Sequence, residues 1–263
     1  MPDSNRTAGE LRFEKYLTTQ GISGEFEKEH NGKSKRPDYT IEWNGRTIVF
    51  DIKDFDEPAG LGKSGAFDPY PRIREKIDQG REKFKSFKEF CCGLVLCNLG
   101  NPFVMLEDWH IMLGAMYGDS GFTFPVNTST GIGDASKMRR TFLGHGKMIN
   151  WTNTQNTTIS AIITLGNIQP DRLRLVEAIR AKDKSIEECQ AELERTHLDF
   201  DLAREVPRVI VWHNAVARIQ FPENLFCGPY DSHFGVAQEE SGTFQRLTYR
   251  GPLLPAGVQP REQ

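Results

Sequence analysis

Two aspartates and a lysine stand close together in RPDYTIEWNGRTIVFDIKDF, residues 36–55. The dipeptide Asn44-Gly45 suits a two-residue hairpin loop, whose central positions both need positive φ. With that loop, Trp43 faces Arg46, Ile41 faces Ile48, Tyr39 faces Phe50 and Asp38 faces Asp51. The strand period of two puts Tyr39, Ile41 and Trp43 on one face with Ile48, Phe50 and Ile52. Asp38, Thr40, Glu42, Thr47, Val49, Asp51 and Lys53 share the other, giving a half-buried hairpin. The turn alone sets this register, and the register sorts apolar from polar, so two levels of the sequence agree. Facing Cβ atoms in such a pair are roughly 4.5–5.5 Å apart. Like charges that close need a shared proton, a neighbouring cation or a bound metal. Lys53, on the same face, supplies part of the compensation. Hard carboxylate oxygens so placed are ligands for a divalent cation such as Mg²⁺.

Pro37-Asp38 and Asp51-Ile52-Lys53, with twelve residues between the aspartates, resemble the motif of the PD-(D/E)xK nucleases. The resemblance covers roughly residues 8–99. It implies a restriction-endonuclease-like core and magnesium, replaceable by manganese, on Asp38, Asp51 and the main-chain carbonyl of Ile52. It also implies that Lys53 orients or activates the attacking water. The family has a helix before the hairpin that contributes a glutamate. Here the segment from Ala8 to Gln20 reads as that helix, with Gly21 as its stop. Phe13, Tyr16 and Leu17 form its apolar face. Glu10 lies about 60° from the centre of that face and Glu14 about 100°, so Glu10 is the better aimed, and the resemblance makes it a further metal ligand, directly or through water.

Other elements must frame these residues. Residues 24–30 alternate weakly, as an outer strand. Residues 31–36 form a basic loop whose Lys35 and Arg36 are candidates to contact a phosphate backbone. The turn-rich loop 54–65 follows Lys53. Its Gly62-Lys63-Ser64 lacks the glycine that a phosphate loop needs five residues earlier, where Glu57 stands. From Arg72 to Phe90 the stripe Ile73, Ile77, Gly80, Phe84 and Phe87 predicts a helix that packs on a sheet. Gln79 and Lys83 share a flank of it, and the resemblance makes them candidate contacts to nucleic acid. Residues 92–98 read as a buried strand.

The remaining chain gives less. A helix is expected over residues 105–117, loops over 122–153, strands over 158–165 and 207–213, a long charged helix over 171–197, and an irregular tail from Gly251. The simplest architecture is α/β. A central mixed β-sheet is flanked by helices and carries a C-terminal α/β extension, all in one elaborated domain over 1–263. A separate specificity region in 100–263 is the alternative.

The chain has 263 residues, 38% hydrophobic and 26% charged, and a formal net charge of −3. That composition is globular, and the charge argues against broad attraction to nucleic acid, so any binding surface must be local, near 33–36 and 72–88. The six histidines and five cysteines show no paired metal-ligand spacing and no C-x-x-C. The odd cysteine count, without an apolar membrane-length run or a secretory signal at the start, points to reduced thiols and a cytoplasmic location. The expected activity is metal-dependent hydrolysis of phosphodiester bonds, in DNA before RNA, in a restriction or defence setting, with a homodimer allowed. The alternatives are a silent nucleic-acid-binding or scaffold protein of the same fold, and a metal-dependent RNase.

Overall fold

The computed structural model describes residues 6–55, 68–101, 104–149, 154–170, 187–188, 191, 205–238, 244–251 and 259–260. Helix α1 (Ala8–Thr19) opens on a capping box, with Thr7 and Glu10 each accepting from the other's backbone N–H, and Gly21 follows its cap at φ +67°. Such a box satisfies two of the helix's orphan donors. Strand β1 (Glu25–Phe26) is only two residues long, shorter than the expected outer strand. Next come β2 (Tyr39–Trp43) and β3 (Arg46–Phe55). Asn44 and Gly45 both take positive φ, and the pairs Tyr39–Phe50, Ile41–Ile48 and Trp43–Arg46 form as the turn dictates.

Helix α2 (Tyr70–Phe84) ends six residues before the expected boundary. Phe87 and Phe90 continue the stripe in two turns, donating their N–H groups to Phe84 and Phe87 carbonyls. These turns bring the chain from the helix layer to β4 (Cys91–Asn98), so the apolar periodicity outlasts the helix. Helix α3 (Trp109–Tyr117) also starts later than expected, at Asp108, whose side chain accepts from His110 and Ile111 N–H. The stretch read as loops contains strand β6 (Arg139–His145), which pairs antiparallel in a separate sheet with β5 (Gly118–Thr123), a strand that runs from the end of α3 into the start of that stretch. Further strands are β7 (Ala161–Ile168), β8 (Val206–His213), β9 (Ser232–Gln238), β10 (Phe244–Arg250) and β11 (Gln259–Pro260). Most of the helix expected over 171–197, and the tail after Gly251 as far as 258, lie outside the described residues.

The molecule is an α/β structure with a large mixed sheet. Among the described residues the sheet has nine strands in the order β1-β2-β3-β4-β7-β8-β9-β10-β11. β3, β4 and β7 run parallel at its centre, and β8 returns antiparallel to β7. The later strands therefore continue the first sheet. Parallel strands at a sheet's centre are covered on both faces. Ile48, Phe50 and Ile52 of β3 pack with Phe13, Tyr16 and Leu17 of α1 on one side, while Val49 and Phe55 pack with Ile73, Ile77 and Phe84 of α2 on the other. This corrects the half-buried hairpin: the face that carries Asp51 and Lys53 lies under α2. At Gly80 the helix sits so close to β4 that a Cβ there would stand 2.7 Å from Leu94 Cδ1. No helix among the described residues is long and apolar enough to cross a membrane.

Candidate functional site

Asp38 immediately precedes β2, and its N–H donates at 2.9 Å to the carbonyl of Phe50, the ladder partner of Tyr39, so the pairing is bulged here and does not extend in register to an Asp38–Asp51 pair. Its carboxylate is divided between two partners. Oδ2 accepts from the Ile52 N–H at 2.6 Å, and Oδ1 pairs with the Lys83 ammonium. Asp51 is fully buried. Its Oδ1 lies 2.7 Å from Lys83 Nζ and accepts from Lys53 Nζ at 3.0 Å. Lys53 is also 2.9 Å from Oδ2, yet no hydrogen bond of good geometry reaches Oδ2 among the described residues. Two strands and one helix thus bring two carboxylates and two ammoniums within direct contact.

Charge and burial oppose each other here. Burial, and then the nearby Asp38, push the Asp51 carboxyl above its ordinary value, and Lys83 and Lys53 only partly offset them. Burial pulls the Lys83 ammonium down, but Asp51 and Asp38 outweigh it and leave Lys83 raised. Isolated desolvated charges would be untenable. The cluster persists because each carboxylate has a cation and Asp38 has a backbone donor as well.

Glu10 sits at the margin of the cluster. Its carboxyl is raised by burial first, with Asp38 and Asp54 adding to the effect and the Thr7 N–H and Lys83 opposing it. Its Oε2 accepts from Thr7 N–H at 2.7 Å, so the carboxylate is engaged by the helix cap. Glu14 instead pairs with Arg6. Asp54 points to the α1 side, where Gly9 N–H donates to its Oδ2 at 3.1 Å. Ile52 serves the cluster through its N–H.

Three of the expected nucleic-acid contacts lie apart from it. Gln79 is exposed and donates to Glu75 at 3.1 Å on its own helix. Lys35 donates to Glu82 O at 3.0 Å, and Arg36 pairs with Glu29. Lys83, placed by sequence on the same flank as Gln79, reaches further in than a flank position suggests. At 100° per residue it stands only about 60° from Gly80, where the helix touches the sheet. The signal that could have found it was the demand of two facing carboxylates for more cation than Lys53 alone provides. Gly62-Lys63-Ser64 falls outside the described residues.

The donor set can be tested against magnesium. Two hard oxygens from separate segments, Asp38 Oδ1 and Asp51 Oδ1, already converge on one cation, and Asp51 Oδ2 is left without a hydrogen bond. No group of three or more His, Cys, Asp or Glu side chains with ligating geometry occurs among the described residues. A site of two carboxylates suits Mg²⁺, which keeps several waters, better than it suits Ca²⁺ or Zn²⁺. A cleft of about 490 Å³ at the carboxyl ends of β4 and β7, lined by Arg12, Asn98, Glu107 and Asn167, does not include these residues. The charge cluster therefore lies apart from this cleft. No family model, curated protein or solved structure matches this chain.

Proposed function

We propose that the protein is a metal-dependent nuclease of the PD-(D/E)xK kind, with a restriction-endonuclease-like core and DNA as its preferred substrate. One observation carries the reading: Asp38 and Asp51 converge on a single cation beside Lys53, at the positions of the motif. Asp38 Oδ1 and Asp51 would hold Mg²⁺ or Mn²⁺, with waters completing the shell. When bound, the metal supplies a water of lowered pKa and neutralises charge on the phosphate oxygens. The chain's own residues do the rest. Ile52 N–H fixes the Asp38 carboxylate in one orientation. Asp51, fixed in the middle of β3, keeps Lys53 within 3.0 Å. Lys53, whose side chain is 23% exposed, would stabilise charge building on a phosphate. Glu10 adds negative charge at the margin.

The second reading is a silent nucleic-acid-binding protein of the same fold, favoured by the two lysines that already neutralise the two aspartates. A Mg²⁺ titration against end-labelled DNA and RNA separates the two. Cleavage that appears with Mg²⁺, stops with chelator and is lost in Asp51→Asn is the expected result. Nucleic acid bound but uncut at millimolar Mg²⁺ and Mn²⁺ selects the silent binder.

A further inference from the structure

Lys83 occupies a gap. Its ammonium pairs with Asp38 Oδ1 and stands 2.7 Å from Asp51 Oδ1. Both carboxylates have partners independent of it, the Ile52 N–H for Asp38 and Lys53 for Asp51. Their orientations therefore do not depend on Lys83. What depends on it is the neutralisation of the space between the two Oδ1 atoms, the space that a cation shared by both aspartates would fill.

We infer that Lys83 and a divalent cation compete for Asp38 Oδ1 and Asp51 Oδ1, so that Lys83 is a tethered occupant which metal displaces and which a phosphodiester then receives. The inference deepens the nuclease reading and rests on it. An ammonium within hydrogen-bond distance of both oxygens leaves no room for a second cation between them, and the two cations repel. Lys83 has a flexible four-carbon stem, so displacement needs only rotation of its side chain. The released ammonium, with a side chain 20% exposed, loses two carboxylate partners and gains from any anion that comes within reach. A backbone phosphate is such an anion. Metal and phosphodiester then assist each other, and by linkage each raises the other's affinity by the same factor. The site binds them as a set and holds itself neutral when neither is present.

The test is calorimetric titration of Mg²⁺ into the full chain and into Lys83→Met, without nucleic acid and at one salt concentration. Lys83→Met should bind Mg²⁺ at least about tenfold more tightly, or 1.4 kcal/mol. A second measurement needs no variant. Reductive methylation followed by peptide mapping should find Lys83 protected in the metal-free protein and reactive at saturating Mg²⁺. Equal Mg²⁺ affinity in the two proteins, or protection that persists at saturation, overturns the competition and leaves the metal site standing. If neither protein binds Mg²⁺, the nuclease reading falls and the competition falls with it.

Discussion

Asp51 and Asp231 are both buried carboxylates, and they are held in opposite ways. Asp231 Oδ2 accepts from Tyr16 OH at 2.6 Å and Gly228 N–H at 2.7 Å, and Oδ1 from Val209 N–H at 2.9 Å. All three donors are neutral, and two are backbone groups fixed by the fold. Burial, and then Asp231 itself, push the Tyr16 hydroxyl well above its ordinary value, so it remains a donor. Asp51 has no such set. Its partners are ammoniums on long side chains, its neighbour is another carboxylate, and Oδ2 lacks a hydrogen bond among the described residues. Fixed neutral donors make a carboxylate part of the architecture. Charged partners on flexible stems would, on the nuclease reading, leave it able to exchange one cation for another.

The comparison breaks first at Lys53. Lys53→Ala should lower cleavage by roughly 10²–10³, the scale of one preorganised transition-state group, in an assay run well below a thermal midpoint that also falls, since buried Asp51 loses one of its two cations. A time course that matches wild type would reduce the lysine to a strand-end charge. The next largest effect is structural. Asp231→Asn should cost about 2–3 kcal/mol in chemical denaturation, because an amide NH₂ then meets donors that had an acceptor. A negligible change there would show that the neutral-donor set is not what holds Asp231.

Glu10→Gln sharpens the boundary of the charged cluster. Glutamine also serves the capping box, so the fold is kept while the charge goes. Cleavage should fall about tenfold, and Glu14→Gln should cut like wild type. The smallest effect is one of sign. The folded-state pKa of Asp51 lies above its ordinary 3.8, so its contribution to stability is fully present below 3.8 and is lost as pH rises through the folded value. In chelator, the midpoint of Asp51→Asn relative to wild type should therefore rise from pH 3.5 towards neutrality. A difference that falls over that range would contradict the raised carboxyl.

What could be read in advance follows the range of the interactions. The β2–β3 register was legible because Asn44-Gly45 sets it locally, and α1 because a capping box and Gly21 bound it. The Asp38–Asp51 juxtaposition came from the same turn. Lys83 was visible as a flank residue, but its destination depends on how closely Gly80 lets α2 approach Leu94, a matter of tertiary packing. The strands β5, β6, β9 and β10 carry weak alternation, too little for the period of two to mark them. The Tyr16–Asp231 hydrogen bond joins residues 215 positions apart, and no local pattern announces it.

The tight turn at Asn44-Gly45 also bears on the order in which the cluster comes together. A two-residue hairpin closes in about 1–10 μs, and it brings Asp38 near Asp51 with only Lys53 at hand. Lys83 belongs to a helix that must first form and then dock through Ile73, Ile77 and Phe84. The repulsion therefore acts on the chain early and its main compensation arrives late. Dissolved cations that screen the pair should therefore act on the folding rate at that stage.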